Sequence, residues 1–431
     1  MLQRFDSLVR EAPGAAALVD GATGAVTTRA MLLERSRAIA AGLEASGVKA
    51  RDGFAIQLPN SAEFVATFLA ALQLDLVVFL IDRDATGNEV AAIHRHFGLG
   101  RRANVPPDAR LVKLTSGSTA MPKGIVTTEA NLVADCTNIC ATMGITPTDL
   151  NLGSIPFSHS YGFSNLVMPL LVQGTPIVVT NDYLPQSLVD LANAYRCTVA
   201  PLIPMVFEHL TTAAHGSFES VRTFISAGAP LPASTSRKFR ERFGIDIHSF
   251  YGCSECGGIT YDRRGGAVER GTVGTALEGV SLTTDAKRLS IRSGSVAAGY
   301  LFDDVTFQPF ADGTFVSDDL VEDRDGEIAL IGRASDLINT AGKKVNPREV
   351  EAVLLQIEGV TQAKVYGEPA GARGEVVAAA IVATPDVTRE QVREFCRTRL
   401  SLHKVPRIVK LIDQMPVDER GKVKRAALAA L

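Results

Sequence analysis

The sequence is poor in cysteine, with six in 431 residues, too few for a disulfide scaffold. Two pairs lie close along the chain, Cys136 with Cys140 and Cys253 with Cys256. Neither has a second C-x-x-C or a histidine pair at ligand spacing. Reduced, partly buried thiols are therefore expected, not a zinc or redox centre. Long hydrophobic runs are also lacking: none reaches the roughly twenty residues that cross a bilayer. The nearest, Phe64 to Leu72 and Leu76 to Ile81, are split by Gln73 and Asp75. The opening residues, Met1-Leu2-Gln3-Arg4-Phe5-Asp6, hold no signal-peptide core. Positive charge is not in excess. The net charge of −3 argues against a nucleic-acid partner held by bulk electrostatics. There are no internal repeats and no low-complexity tracts. A cytoplasmic enzyme without a membrane span is the expectation.

What is present is ordinary globular composition, 46% hydrophobic and 21% charged, over a length that suits two or three domains. Thr28 to Ser46 reads as a helix, capped by Thr27 or Thr28 and ended by Gly47. The run Gly53 to Leu58 reads as a strand, and a helix from Ser61 to Leu74 follows an Asn60 cap. Leu76 to Ile81 has the continuous apolar character of a buried parallel strand. Strand signals at Ile177–Val179 and Val199–Ile203 continue the alternation, which defines an α/β architecture with mostly parallel sheets. Near residue 280 short strands and turns take over: Leu289–Arg292, Gly313–Val316 and Glu327–Ile331. From about 336 the pattern is α+β. Asn346-Pro347-Arg348-Glu349 has the residues of a helix start, and strand-like runs follow at Ala363–Tyr366 and Val376–Val382. A helix over Arg389–Leu400 and a basic tail complete it.

The most informative segment is Thr115-Ser116-Gly117-Ser118-Thr119-Ala120-Met121-Pro122-Lys123-Gly124. Small residues let backbone N–H groups approach an anion, the hydroxyls add donors, and a strand-like run, Leu111–Leu114, precedes it. By composition it is a phosphate cradle or a flexible Ser/Gly turn. The Walker spacing is missing. Tyr251-Gly252-Cys253-Ser254-Glu255 follows a strand-like run. It offers an aromatic face for a base and a carboxylate for Mg²⁺, or else a tyrosine turn with an exposed acid.

Taken with five further motifs in order, these segments resemble the adenylate-forming superfamily of acyl-CoA synthetases, peptide-synthetase adenylation domains and luciferases. Among its members the sequence is closest in type to fatty-acid and aryl-acid CoA ligases. The others are Pro156-Phe157-Ser158-His159-Ser160-Tyr161-Gly162; Ser226-Ala227-Gly228-Ala229-Pro230; Ser317-Asp318-Asp319-Leu320; Gly332-Arg333-Ala334-Ser335-Asp336; and Pro416 through Gly421-Lys422. The resemblance runs from about Leu8 to Leu431. It departs from the family pattern at Ala120 and Asp318, where glycine is usual, and at Ser335, where Asp or Lys is common.

The resemblance implies a large N-terminal AMP-binding domain of layered α/β sheets over 1–332, with a small β-barrel-like unit at about 280–332. That domain is trimmed between about 97 and 113. A hinge at 333–335 and a small mobile α+β C-terminal domain over 336–431 follow. It implies ATP held by Thr115, Ser116, Gly117, Ser118, Thr119, Lys123, Gly228, Ala229, Pro230, Tyr251, Gly252, Ser254, Asp319 and Arg333, with Mg²⁺ on Glu255. His159, Ser160, Tyr161, Ala227 and Gly252 would line the acid's pocket. Lys422, Glu255 and His159 would be catalytic, Ser335 the hinge, and Gly342 and Lys343 the loop that meets the thiol. Ser160 stands where amino-acid-activating relatives tend to carry an aspartate, so the acid is fatty or aryl, not an amino acid. The acceptor is coenzyme A or the phosphopantetheine of a free acyl carrier protein, since no carrier domain follows Leu431. A carrier-protein ligase, an enzyme that stops at the acyl-adenylate, and an inactive nucleotide-binding regulator stay open, as does a homodimer.

Overall fold

A computed structural model describes residues 1–115, 122–340, 343–369, 375–416 and 428. The chain divides into two compact units. The first holds Met1–Thr283, Ser290–Phe315 and Arg324–Ile328; the second holds Thr284–Leu289, Val316–Asp323 and Ala329–Leu431.

The first unit is built on two large sheets. One has nine strands, in the order Thr275–Ala276, Gly257–Tyr261, Ile247–Cys253, Thr223–Ser226, Val199–Leu202, Asn151–Gly153, Ile177–Val179, Ala16–Asp20, Val26–Thr28. Its interior is parallel, from Ile247–Cys253 across to Ala16–Asp20. Its outer strands are antiparallel. The other has six, ordered Phe307–Pro309, Gly299–Leu301, Lys123–Thr128, Ala109–Thr115, Val77–Leu80, Gly53–Ile56. Here only the last three pair in parallel, so the expectation of mostly parallel sheets holds for the first sheet's interior and for half of the second. Strand Ala109–Thr115 turns back on Lys123–Thr128 as a hairpin, with Thr115 opposite Lys123.

The main core draws side chains from both sheets (Leu18, Ile177, Ile225, Phe250 with Ile56, Val78, Leu80, Leu111) and from the helices between them, including Phe64, Phe68, Ile139 and Phe163. A second core covers the other face of the nine-stranded sheet through Phe207, Phe224 and Phe239. Both faces are thus covered, as parallel sheets require.

The helix read from Thr28 spans Arg29–Ala45, and the Thr28 side chain accepts the Met31 N–H. The next helix is Ala62–Gln73, capped by Ser61, not by Asn60. The Asn60 amide is occupied elsewhere: it donates to Ile155 O at 2.8 Å and accepts from Phe157 N at 2.7 Å. That fixes the segment leading into His159. The trimmed region contains the end of helix Gly87–Phe97 and the start of strand Ala109–Thr115, which leaves a link at 98–108.

The short strands after 280 form a four-stranded sheet, Val280–Asp285, Arg288–Ser293, Thr314–Arg324, Glu327–Arg333, and the division between the two units falls within it. In the second unit, helices Pro347–Leu354 and Arg389–Arg397 accompany a three-stranded sheet of Val360–Pro369, Glu375–Ala383 and Ile408–Leu411. Asn346 caps the first helix by accepting the Arg348 N–H, with Pro347 at its first turn. The second helix stops at Arg397, earlier than the expected Leu400. Val345, Val350, Val365, Ile381, Val392 and Val409 fill this unit's core.

Candidate active site

In the first unit, several of the candidate residues gather at the ends of strands. Strand Ile247–Cys253 delivers Tyr251, Gly252 and Cys253, and a tight turn returns the chain as strand Gly257–Tyr261. Ser254 and Glu255 ride on that turn. The Ser254 hydroxyl lies 2.8 Å from the Ser160 hydroxyl, which joins the tyrosine motif to the histidine motif. The Tyr161 hydroxyl donates to Ile225 O at 2.9 Å, which links it to the strand before Ala227. Burial raises the Tyr161 phenol well above its ordinary value, so it stays a donor throughout the physiological range. Gly228 has φ +86°, a conformation glycine adopts without strain.

His159 precedes the helical run that begins at Ser160 and contains a turn of π-helix, Phe163–Val167. Its Nε2 lies 3.3 Å from Asp82 Oδ2, with both side chains about one-third exposed.

Glu255 Oε1 accepts a hydrogen bond from the Tyr300 hydroxyl at 2.9 Å, and the Glu255 carbonyl accepts from Ala297 N at 2.8 Å. The Lys123 ammonium sits 5.3 Å from the centre of the Tyr300 ring and 5.1 Å from that of Phe302, within range of a cation–π contact. One tyrosine therefore bridges the lysine of the candidate phosphate loop and the candidate metal ligand. Burial, then the charge of Glu255, drives the Tyr300 phenol far up. Tyr300 was not among the sequence candidates; it stands in a Gly-Tyr-Leu strand with no motif around it.

Among the described residues no group of three or more His, Cys, Asp and Glu could hold a metal. A single half-buried carboxylate fits magnesium, which takes one or two carboxylates and completes its shell with water and phosphate oxygens. All six cysteines are free thiols; Cys136 and Cys140 face each other with sulfurs 4.0 Å apart.

A buried polar cluster underlies the turn. Asp135, 3% exposed, accepts from the Ser164 hydroxyl at 2.6 Å and from Gly258 N at 2.9 Å. Gly257 has φ +70°, and a Cβ there would overlap the Asp135 carboxylate. Lys113 lies nearby at 5% exposure. Burial lowers the tendency of its ammonium to stay charged, against the opposing pull of Asp135, Cys253, Glu255 and Cys256. The only hint of Lys113 in the sequence is a lysine inside the apolar run Leu111–Leu114.

In the second unit, Asp319 and Arg333 meet: Arg333 Nε donates to Asp319 Oδ1 at 2.9 Å. Ser317 also contributes, with its hydroxyl 3.3 Å from Asp319 Oδ2. Burial works against the Arg333 charge, and Asp319 outweighs it, aided by Asp336 and Asp318. Asp318 is engaged differently, accepting the Ser335 N–H at 3.1 Å and the Ser335 hydroxyl. Lys343 begins the second strand of a hairpin with Ile338–Thr340. Ser116, Gly117, Ser118, Thr119, Gly342 and Lys422 lie outside the described residues, and Thr115 is described only as strand backbone.

A doubly covered α/β body with a hairpin of strands Ala109–Thr115 and Lys123–Thr128 and a Tyr-Gly-x-Ser-Glu turn, and a small α+β unit, is the architecture of adenylate-forming ligases. The family model of the AMP-binding enzyme matches residues 5–100 and 101–298, and that of the AMP-binding enzyme C-terminal domain matches 349–422. The chain belongs to the AMP-binding enzyme family and is an acid–thiol ligase of the AMP-forming acyl-CoA synthetase type.

A sulfoacetate–CoA ligase of Cupriavidus necator is 30% identical over 75% of this chain and 67% of its own length. A feruloyl-CoA synthase of an Amycolatopsis species is 26% identical over 96% of this chain and 95% of its own. Among solved structures, ATP-bound MatB from Rhodopseudomonas palustris superposes with a TM-score of 0.85 at 23% identity, over 100% of this chain and 98% of that one. The o-succinylbenzoate CoA synthetase MenE of Bacillus subtilis, with its acyl-adenylate intermediate, gives 0.84 at 23%, over 99% and 97%. No helix among the described residues is long and apolar enough to cross a membrane.

Proposed function

We propose that the protein uses ATP to convert a carboxylic acid, fatty or aryl and not an amino acid, into an acyl-adenylate with loss of pyrophosphate. The acyl group then passes to the thiol of coenzyme A. The Tyr300 bridge between Lys123 and Glu255 is the observation that carries this reading. It couples a phosphate-loop cation to a carboxylate of the kind that meets magnesium.

A carboxylate attacking the α-phosphate of ATP meets repulsion of about 4 kcal/mol per charge pair at contact and intermediate dielectric. In this reading the 115–123 loop supplies N–H, hydroxyl and ammonium donors to the β- and γ-phosphates. Tyr300 holds Glu255 so that one oxygen is aimed by a hydrogen bond. Magnesium on Glu255 would neutralise phosphate charge. Tyr251 packs on adenine between the 226–230 turn and the strand end. Asp319 accepts the ribose hydroxyls, with Arg333 keeping it ionised and oriented. Lys422 spans the carboxylate and the α-phosphate during in-line displacement. The domain division at 332, the hinge at Ser335 and the Gly342–Lys343 loop at the thiol belong to the same reading. So does His159 beside the acyl group, braced by Asp82.

The relatives named above act on sulfoacetate, ferulate and 2-succinylbenzoate, all plain acids without an α-ammonium group. This supports the reading of Ser160. A carrier-protein acceptor is the second reading, and comparing CoA with an acyl carrier protein in a thioester assay separates the two. Acid-dependent exchange of labelled pyrophosphate into ATP, over fatty and aryl acids, tests the activation step. No exchange with any of them would refute it.

A further inference from the structure

Asp135 has no part in the reaction derived above, yet two segments of the candidate site converge on it. It lies on helix Glu129–Met143, on the side from which Leu132, Cys136 and Ile139 enter the main core, and it is 3% exposed. A carboxyl group in such a place is tolerated when its oxygens are bonded. The Ser164 hydroxyl donates to Oδ2 at 2.6 Å, and the Gly258 N–H donates to Oδ1 at 2.9 Å.

The two donors have matching places in their segments. Ser164 follows Ser160 by four residues, and Gly258 follows Ser254 by four. The Ser160 and Ser254 hydroxyls themselves meet at 2.8 Å. The histidine motif and the Tyr-Gly-x-Ser-Glu turn are therefore fastened twice, once hydroxyl to hydroxyl and once through Asp135. A single fastening lets the turn pivot; a second one fixes its orientation.

The fastening through Asp135 falls on a bulge. Tyr251 stands opposite Thr260, but Gly252 stands opposite Gly258, so the return strand carries one extra residue, Ile259. Bulges re-aim side chains and are frequent beside active sites. The Gly258 N–H at this bulge goes to Asp135. The backbone packs there too closely for side chains: a Cβ on Gly257 would overlap Asp135 Oδ1, and one on Gly252 would overlap Gly257 O. Displacement of the carboxyl group is thus passed to the turn, which carries Ser254 and Glu255. We infer that Asp135 is a positioning residue of the activation step: through the bulge at Gly258 it sets where Ser254 and Glu255 stand. This rests on the activation reaction proposed above, in which Glu255 meets magnesium.

The test compares Asp135→Ala, which removes both bonds, with Asp135→Asn, whose amide can still accept from the Gly258 N–H and donate to the Ser164 hydroxyl. Whole-chain variants are assayed in both half-reactions, pyrophosphate exchange and thioester formation from supplied acyl-AMP. Asp135→Ala should raise the half-saturating Mg²⁺ concentration in exchange by about tenfold, the scale of a bond to a charged acceptor, and leave thioester formation within about twofold of wild type. Asp135→Asn should bring the Mg²⁺ dependence back to within about threefold of wild type. In a Glu255→Gln background Asp135→Ala should cause no further rise, because its effect passes through Glu255. Thermal unfolding reports whether Asp135→Ala folds. Ser164→Ala, which removes one bond only, is the second variant and should raise the same Mg²⁺ concentration by about threefold.

Unchanged Mg²⁺ dependence in a folded Asp135→Ala protein, or in Ser164→Ala where alanine at 135 does not fold, overturns the inference. Equal loss in both half-reactions overturns it too, since Asp135 then supports the fold alone. So does an Asp135→Asn protein as impaired as the alanine variant, which would make Asp135 a counter-charge for the buried Lys113. An effect that adds to that of Glu255→Gln has the same consequence. In each of these cases wild-type exchange with at least one acid leaves the activation reaction standing. No wild-type exchange with any fatty or aryl acid removes that reaction, and the inference with it.

Discussion

Tyr300→Phe is the sharpest probe of the candidate active site, because it deletes one atom and leaves the ring. The Lys123 contact, 5.3 Å to the ring centre, survives in phenylalanine. The O–H bond to Glu255, 2.9 Å long, does not. Hydrogen bonds to a charged acceptor contribute about 1.5–3 kcal/mol. Glu255 is half-buried, so solvent replaces part of the loss, and about 1.5 kcal/mol is the expected remainder. That corresponds to roughly a tenfold change in an equilibrium constant. The half-saturating Mg²⁺ concentration in pyrophosphate exchange should therefore rise by about tenfold, since Tyr300 aims Glu255 in the proposed mechanism. A fall would show that Tyr300 competes with the metal for Glu255, against the orienting role assigned to it. The pH profile should not move, because the Tyr300 phenol titrates far above the working range. Unchanged magnesium dependence in a folded Tyr300→Phe protein would show that the Glu255–Tyr300 pair lies outside the metal site, and the mechanism built on it would fall.

Two further outcomes follow from single groups. Lys422→Ala should slow acyl-adenylate formation by roughly 10²-fold or more, the scale for losing a charge stabiliser, and leave thioester formation from supplied acyl-AMP nearly intact; equal loss in both half-reactions contradicts the assigned role. Glu327 is held at a pKa of about 2 by Arg270, Thr272 and Arg264 against burial. Its folded value lies below the unfolded one, so its contribution is present above about pH 4.5 and is lost as pH falls toward 2. With Arg264 and Arg270 partly exposed and screened, that contribution is about 2 kcal/mol. Glu327→Gln should lower the unfolding midpoint at pH 7, and the gap to wild type should narrow on acidification; a gap that is constant from pH 7 to pH 3 contradicts the argument.

The sequence disclosed what depends on local pattern. The cap at Thr28, the Asn346-Pro347 helix start and the Leu76–Ile81 strand follow from rules that act within a few residues. So does the turn after the strand-like run that ends in Tyr-Gly-x-Ser-Glu. Long-range partnership was not legible. Asn60 looks like a helix cap until Ile155 and Phe157, nearly a hundred residues away, claim its amide. Tyr300 and Glu255 are separated by 45 residues, Asp135 and Gly258 by 123, and nothing near either partner marks the bond. The antiparallel pairing of Ala109–Thr115 with Lys123–Thr128 was likewise hidden, since a phosphate loop between strands and one between a strand and a helix have the same composition.

Two departures from the family pattern, Asp318 and Ser335, are one feature in the folded chain. The resemblance places glycine at the first and a charged residue at the second. Here the Asp318 carboxylate accepts both the N–H and the hydroxyl of Ser335. A side chain that glycine lacks thus ties down the residue expected to absorb the hinge rotation. Asp319 has a separate pairing, with Arg333 and Ser317. Asp318→Gly should free the hinge and leave ATP affinity unchanged, whereas Asp319→Ala should weaken ATP binding. Losing a bond between a charged acceptor and a solvent-exposed amide is worth about 1 kcal/mol. The ratio of thioester formation to adenylate formation should therefore shift by roughly fivefold in the glycine variant. If both half-reactions keep their wild-type ratio, Asp318 does not restrain the hinge. If ATP binding weakens with Asp318→Gly and not with Asp319→Ala, the two acids have been assigned the wrong way round.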